Sequence, residues 1–170
     1  MGSGPKRGRD LTPKLPKLKN MRKEVISVIG GHDCNSEVEQ LAHKIGKIVA
    51  EVGAILVCGG LGGAMEAACK GAKEANGLTV GIIMSYDKKD ANKYCDIVIP
   101  TGLGNARNVL VVQSADMVVA LPGKYGTLSE IAFALHFGKP LINFSNWDIP
   151  GAIKVETVEE AEAQIKKLLK

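Results

Sequence analysis

The sequence has few aromatic residues and no long apolar run, and these two shortages exclude several classes of protein. Phe, Trp and Tyr make up 4% of the 170 residues, so we expect an aliphatic core. No apolar stretch approaches the roughly 20 residues that a membrane-spanning helix needs, and the N-terminus lacks the apolar segment of a signal peptide. We therefore predict a cytoplasmic protein with no membrane partner.

Catalytic and metal-binding patterns are also scarce. The four cysteines, Cys34, Cys58, Cys69 and Cys95, show neither CxxC spacing nor histidines at metal-ligand intervals. We predict no metal site and a reducing intracellular compartment. The chain has no Ser-His-Asp arrangement with supporting context, no paired-metal carboxylates and no P-loop, so hydrolase and kinase functions lack support.

Positive charge is concentrated at the front of the chain. The net charge is +4, and residues 1–23 hold eight Lys or Arg against one acid, Asp10. The remaining residues, 24–170, are therefore mildly acidic, which argues against a nucleic-acid partner although a basic arm could still touch one. We predict a flexible basic tail over 1–23 and a single domain over 24–170. Met1–Gly4 resembles an expression leader, and Met21 could be a native start.

Short apolar runs alternate with helical patterns along the rest of the chain. The predicted strands cover residues 24–31, 54–58, 78–84, 94–99, 117–121 and 140–144. The predicted helices cover residues 36–52, 64–76, a segment ending near 115, 127–137, and a last one ending at 170. Ser36 with Glu39, and Thr157 with Glu160, fit capping boxes at helix starts. The order predicts an α/β protein with a three-layer, Rossmann-like fold: a doubly wound, mainly parallel sheet with helices on both faces.

Three glycine-rich loops follow predicted strands, namely residues 59–63, 101–104 and 122–126. Carboxyl ends of parallel strands meet at one edge of the sheet, and glycines beside helix starts let a phosphate approach the main chain. We predict a small phosphate-bearing ligand, although loop 59–63 could simply be a tight turn. The predicted ligand-binding residues are Gly30, Gly31, Gly59, Gly60, Gly62, Gly63, Thr101, Gly102, Gly104, Asn105, Arg107, Pro122, Gly123, Lys124, Gly126 and Thr127.

Four charged or polar side chains near these loops are candidates for chemistry. Arg107 lies in the first turn of a predicted helix, where a cation is unfavourable beside the positive end of the helix dipole. We therefore expect a negative charge close to it, from the ligand, from Glu130 or from a surface ion-pair partner. Glu130 fits either a capping box with Thr127 or a carboxylate at the rim of the site. Lys124 could meet a phosphate or stay solvated, and His32 could line the crevice.

The blocks GGLGGAMEAACKGA (59–72), TGLGNARNVLVVQSAD (101–116) and PGKYGTLSEIAFALHFGKP (122–140) carry a resemblance. They resemble the Rossmann-like superfamily of Lonely Guy phosphoribohydrolases and molybdenum cofactor carrier proteins, formerly labelled lysine decarboxylases. The resemblance implies a nucleotide-binding fold and a homo-oligomer, a dimer or tetramer. The enzymes' PGGxGTxxE motif is matched by Pro122, Gly123, Gly126, Thr127 and Glu130, and their catalytic arginine and glutamate correspond to Arg107 and Glu130.

Two departures from the enzyme pattern favour the carrier-like branch. Lys124 replaces a motif glycine, and Asn108 follows Arg107 where the enzymes usually have lysine. We predict a binding or carrier protein that requires no cofactor of its own and binds the molybdenum cofactor or a nucleotide as ligand. The alternative is a phosphoribohydrolase that cleaves the N-glycosidic bond of nucleoside 5′-monophosphates, with Arg107 and Glu130 as catalytic residues. Lysine decarboxylation is unsupported, since no lysine is placed for a pyridoxal Schiff base.

Overall fold

Seven short strands form one sheet in the computed structural model, which describes residues 22–169. The strands are β1 (Val25–Ile29), β2 (Ile55–Cys58), β3 (Thr79–Ile83), β4 (Ile97–Pro100), β5 (Met117–Ala120), β6 (Leu141–Asn143) and β7 (Ile153–Lys154). Their order is β4-β3-β2-β1-β5-β6-β7, and every neighbouring pair is parallel. Such a sheet needs apolar cover on both faces.

Five helices supply that cover. They are α1 (Ser36–Glu51), α2 (Ala64–Glu74), α3 (Asn108–Gln113), α4 (Tyr125–His136) and α5 (Val158–Leu168). Buried residues of α1, α2 and α5 share one core cluster, and those of α3 and α4 share another with the opposite side of the sheet. The doubly wound α/β fold predicted from the sequence is confirmed. No helix between residues 22 and 169 is long and apolar enough to cross a bilayer.

Glycines set the closeness of α1 and α2. A β-carbon at Gly46 of α1 would overlap the carbonyl oxygen of Ala68 in α2. A β-carbon at Gly71 of α2 would overlap the carbonyl oxygen of His43 in α1. The two helix backbones therefore touch through glycine at two points about one helical turn apart.

Several local predictions need correction. Ser36 and Glu39 do not form a capping box, because Asn35 caps α1 by accepting a hydrogen bond from the amide of Val38 at 2.9 Å. The helix predicted to end near residue 115 is the six-residue α3, preceded by a 3-10 turn over Gly104–Arg107. β7 was not predicted. The Thr157–Glu160 capping box is confirmed at the start of α5, whereas Lys170 and the tail, except Arg22 and Lys23, lie outside the described residues.

Candidate functional site

The strand order reverses between β1 and β5, and the candidate site lies at their carboxyl ends. The chain leaves β1 towards β2, β3 and β4, and then returns to the other side of β1 as β5. The two exits are tied together, since the amide of Gly31 donates to the carbonyl of Pro122 at 3.1 Å. Ligands of open α/β sheets bind at such a reversal.

A cavity of about 210 Å³ opens at this point. It is lined by Gly30, Gly31, His32, Asp33, Leu61, Met65, Met84, Asn105, Arg107, Asn108, Lys124, Gly126, Thr127 and Glu130. The fold thus brings together residues that follow β1, β2, β3, β4 and β5 in the sequence. A larger groove of about 460 Å³ lies between α1 and α2. Its lining, which includes Glu39, His43, Lys44, Glu66 and Lys70, offers mixed charges and no buried polar group, so the smaller cavity is the stronger candidate.

Arg107 is the most deeply buried cation of the cavity. The side chain is 5% exposed, Nη2 donates to the carbonyl of Gly59 at 3.1 Å, and Nη1 donates to Oδ1 of Asn108. Nε is buried and has no hydrogen-bond partner among the described residues. Burial lowers the pKa of Arg107, and the carboxyl of Glu130 opposes that shift. The guanidinium is therefore held in place on two sides while its charge is only partly compensated.

Glu130 faces Arg107 from the second turn of α4. Its Oε1 lies 3.8 Å from Nη1 of Arg107, and the Glu130 side chain is 8% exposed. The capping-box interpretation is wrong, because α4 begins at Tyr125 and Thr127 is already inside the helix. Burial raises the pKa of Glu130 to about 8, against the opposing effect of Arg107. Burial therefore favours the protonated form of Glu130.

Asn108 links Arg107 to α4. Its Oδ1 accepts from Arg107, while its Nδ2 donates to Oγ of Ser129 at 3.1 Å and to the carbonyl of Gly126 at 3.4 Å. The residue is 5% exposed. One amide therefore satisfies a buried guanidinium hydrogen and fixes the distance between the arginine and the start of α4. The sequence showed Asn108 only as a departure from the enzyme pattern.

The N-terminus of α4 forms one wall of the cavity. Lys124 is the N-cap residue, without a side-chain cap, and the amides of Tyr125, Gly126 and Thr127 have no acceptor among the described residues. Unpaired amides and the helix dipole together favour an anion there. Lys124 is 82% exposed, and its Nζ lies 4.0 Å from Asp33, so its ammonium is available at the mouth of the cavity.

Loop 59–63 contributes less to the cavity than its five-residue glycine pattern suggests. The amide of Ala64, at the start of α2, donates to the carbonyl of Gly31 at 3.0 Å, and the amide of Gly62 donates to Nδ1 of His32 at 3.2 Å. Gly63 has a φ of +63°, and a β-carbon there would overlap the carbonyl oxygen of His32. These glycines serve close packing of the two loops, while Gly59 holds Arg107 through its carbonyl.

The remaining predicted residues surround the cavity without lining it. Thr101 donates from Oγ1 to the carbonyl of Ile83 at 2.8 Å, and the amides of Gly102 and Gly104 donate to Ser85 and Met84. These bonds join loop 101–104 to the end of β3. A β-carbon at Gly123 would overlap Oγ1 of Thr127, so Gly123 makes room for that hydroxyl. The carbonyl of Pro122 accepts a hydrogen bond from the amide of Gly31 and so holds the loop that follows β1.

Sequence reasoning missed five residues of the lining. Asp33, Leu61, Met65, Met84 and Asn108 all line the cavity, and the sequence analysis named none of them as a ligand-binding residue. Asp33 follows His32, which was considered, and Leu61 lies inside a predicted loop. Position beside predicted site residues was the main signal for these five. Leu61, Met65 and Met84 are of the same residue types as the core, and Asp33 and Asn108 match no ligand-binding motif.

Two solved structures resemble the whole fold. The molybdenum cofactor binding protein of Rippkaea orientalis superposes with a TM-score of 0.83 at 36% identity, over 88% of this chain and 99% of that chain. The molybdenum cofactor carrier protein of Chlamydomonas reinhardtii gives a TM-score of 0.78 at 33% identity, over 87% and 99%.

Two relatives were found by sequence. An uncharacterized protein of Archaeoglobus fulgidus is 45% identical over 138 residues, which are 80% of this chain and 90% of the relative. A cytokinin riboside 5′-monophosphate phosphoribohydrolase of Mycobacterium tuberculosis is 31% identical over 122 residues, 66% of this chain and 65% of the relative. These likenesses confirm the superfamily resemblance seen in the sequence. Residues 23–169 match a single family along their whole length, and the chain belongs to the SLOG cluster4 family.

Proposed function

We propose that this protein is a binding or carrier protein for a small phosphate-bearing ligand, with the molybdenum cofactor as its cargo. The observation that carries the proposal is the buried Arg107, whose Nε has no partner among the described residues. Glu130 is its acidic neighbour, but burial raises the pKa of Glu130 to about 8. A protonated carboxyl does not neutralise a guanidinium, so an anionic ligand would complete the charge balance.

The start of α4 supports a phosphate at this place. The unpaired amides of Tyr125, Gly126 and Thr127 and the ammonium of Lys124 offer donors to phosphate oxygens. The cavity, at about 210 Å³, is smaller than the roughly 300–1,000 Å³ of complete ligand pockets. It therefore suits the phosphate-bearing end of a pterin or nucleotide, with the rest of the ligand outside it.

The state of Glu130 favours binding over bond cleavage. Cleavage of an N-glycosidic bond builds positive charge on the ribose, and an ionised carboxylate would stabilise that charge. Burial raises the pKa of Glu130 to about 8, which favours the neutral form and so weakens this stabilisation. The same neutral carboxyl does not repel a phosphate. Two structures at 33% and 36% identity are of molybdenum cofactor carrier or binding proteins, which agrees with this preference.

The proposal is tested by loading the full chain with molybdenum cofactor released anaerobically from a donor enzyme. Co-elution in gel filtration is read from the fluorescence of the oxidised pterin. We expect one cofactor per chain, and weaker retention in Lys124→Ala. Lys44→Ala removes an exposed lysine that does not line the cavity and serves as the matched control. No co-elution, or equal loss in both variants, would refute a cofactor site at the start of α4.

The alternative function is a phosphoribohydrolase. It is favoured by the facing pair of Arg107 and Glu130, 3.8 Å apart, and by the 31% identical phosphoribohydrolase. The test is incubation with AMP and other nucleoside 5′-monophosphates, followed by chromatography for free base and ribose 5-phosphate. Turnover that disappears in both Glu130→Gln and Arg107→Ala would establish the enzyme and exclude a pure carrier.

We also propose a homo-oligomer, a dimer or tetramer, in the cytoplasm. Ile97 and Ile99 on edge strand β4 are 47% and 44% exposed, and their register with Val80 and Ile82 places them on the face covered by α3 and α4. Helix α3 has only six residues and leaves these isoleucines uncovered. Sedimentation of the wild type and of Ile97→Glu tests this face. The four free cysteines support a reducing compartment.

A further inference from the structure

Three cysteines that are far apart in the sequence meet behind loop 59–63. Cys58 ends β2, Cys69 lies in α2, and Cys95 lies just before β4. The Sγ atoms of Cys58 and Cys69 are 3.4 Å apart, those of Cys69 and Cys95 are 4.0 Å apart, and all three lie within 4.8 Å of one another. We call these residues the thiol cluster.

The residues around the thiol cluster leave space for the sulfur atoms and donate a hydrogen bond to one of them. Cys58 and Cys69 are fully buried and Cys95 is half-buried. Gly81 makes room for Cys95, because a β-carbon at Gly81 would lie 2.7 Å from Sγ of Cys95. The amide of Gly60 donates to Sγ of Cys58 at 3.3 Å. A buried sulfur that already accepts a backbone hydrogen bond has part of the support that a thiolate needs.

We propose that Cys58, Cys69 and Cys95 form a three-thiolate site for one thiophilic d10 cation, Cu(I) or Zn²⁺. Thiolates bind such an ion at about 2.3 Å, which puts their sulfurs roughly 4 Å apart in a trigonal plane and slightly closer in a tetrahedron. The observed separations of 3.4 and 4.0 Å, with the third within 4.8 Å, lie on either side of that spacing. Soft sulfur donors select these ions over hard cations.

The donor set distinguishes the two ions. No histidine or carboxylate joins the thiol cluster among the described residues, so the protein offers three sulfurs. Three ligands satisfy Cu(I), whereas Zn²⁺ would take a fourth ligand from solvent on the half-buried side of Cys95. Binding breaks each S–H bond as a sulfur–metal bond forms, and the protons pass to solvent. No electron is transferred in this step.

The site lies next to the cavity but does not depend on the proposed function. Cys58 directly precedes Gly59, whose carbonyl accepts a hydrogen bond from Nη2 of Arg107. An ion bound by Cys58 and by Cys69 of α2 would join the end of β2 to that helix. It would thereby hold the Gly59 carbonyl, and with it Arg107, in place. The metal could be bound whether or not the cavity takes a cofactor.

Anaerobic titration of the reduced full chain tests the site. Cu(I) is delivered from a chromophoric chelator, and Zn²⁺ is followed in a separate arm with a chromophoric indicator. We expect one ion per chain, near-ultraviolet sulfur-to-copper absorption in the Cu(I) arm, and protection of the half-buried Cys95 thiol from alkylation. Cys34→Ser, at a half-buried cysteine outside the thiol cluster, is the matched control and should bind as the wild type does.

Cys95→Ser decides the outcome, because Cys95 is half-buried and its replacement disturbs the core least. We expect this variant to lose the absorption and the stoichiometric ion while its circular dichroism stays unchanged. Binding in either arm that disappears in Cys95→Ser and persists in Cys34→Ser supports the site and identifies its ion. Absence of a stoichiometric ion in both arms would overturn it, as would equal binding by Cys95→Ser and Cys34→Ser.

Discussion

Replacing Glu130 by glutamine should change how the stability of this protein depends on pH. The carboxyl of Glu130 is buried, and burial raises its pKa from 4.5 to about 8. Between these values the folded state holds a proton that the unfolded state has released. The free energy of unfolding therefore falls as pH rises through this window. The stabilising contribution of the proton is complete below the unfolded pKa and is lost as pH rises through the folded pKa.

The size of the effect follows from the same linkage. Each pH unit inside the window changes the free energy of unfolding by about 1.4 kcal/mol, so the whole shift is worth on the order of 5 kcal/mol. Glutamine keeps the shape of the side chain and removes the ionisation. The difference in unfolding free energy, wild type minus Glu130→Gln, should fall by about 2.5 kcal/mol between pH 5.5 and pH 7.5.

Urea unfolding in phosphate-free buffers at several pH values measures this difference. Subtracting the unfolding free energy of Glu130→Gln from that of the wild type at each pH cancels the contributions of the titrating groups that both proteins share. Glu159→Gln changes an exposed carboxyl of α5 in the same way and should leave the wild-type profile unchanged. Parallel profiles for wild type and Glu130→Gln would refute the assignment of a buried, protonated Glu130, and with it the charge argument for an anionic ligand.

The remaining predictions concern the ligand and the backbone. Inorganic phosphate should bind more weakly as pH rises from 7 to 9 in the wild type, because ionised Glu130 repels it; calorimetry should show a flatter profile in Glu130→Gln, and identical profiles would contradict the idea. Asn108→Ala should lower the free energy of unfolding by about 1–3 kcal/mol, since a buried guanidinium hydrogen of Arg107 loses its acceptor. An unchanged urea midpoint would show that Asn108 does not stabilise Arg107. Gly46→Ala should cost about 1–3 kcal/mol or more through overlap with α2, whereas Gly126→Ala, which meets nothing within 4 Å, should not; equal midpoints would contradict the glycine contact.

The alternation of elements was predictable because each strand is a short apolar run and each long helix has helical apolar spacing. Six strands lie within or close to their predicted ranges. β7 escaped prediction because it has two residues, Ile153 and Lys154, and exists only through pairing with Ile142 and Asn143 of β6. Such a strand is defined by its neighbour, which a local pattern does not contain.

Capping patterns show the limit of local evidence most clearly. The motif of Ser or Thr followed three residues later by Glu occurs at residues 36, 127 and 157 among the helix starts considered. Only the third forms the reciprocal bonds. At the first, Asn35 is one residue closer to the true N-terminus. At the second, α4 begins at Tyr125, so Glu130 points into the site instead of back to the cap.

The site was predictable in outline, and its charge balance was not. Glycine loops and the Arg107–Glu130 pair carried a recognisable pattern, so their sequence positions indicated a shared edge of the sheet. Glu130 lies in a cavity that is also lined by residues from four other strand ends, and the thiol cluster depends on β2, α2 and the approach to β4. These distances arise from the tertiary fold, and no spacing in the chain encodes them.

We propose that the charge beside Arg107 separates a carrier from a hydrolase at this site. Asn108 is neutral, accepts from Arg107 and donates to α4, so it supports the guanidinium without adding charge. A lysine at that position, as in the enzyme pattern, would bring a second cation near Glu130 and favour its ionised form. With asparagine there, burial outweighs Arg107 and the proton stays on Glu130. On this proposal, the same arginine, glutamate and helix start would recognise a phosphate in both cases. The charge needed to assist cleavage would depend on the residue that follows the arginine.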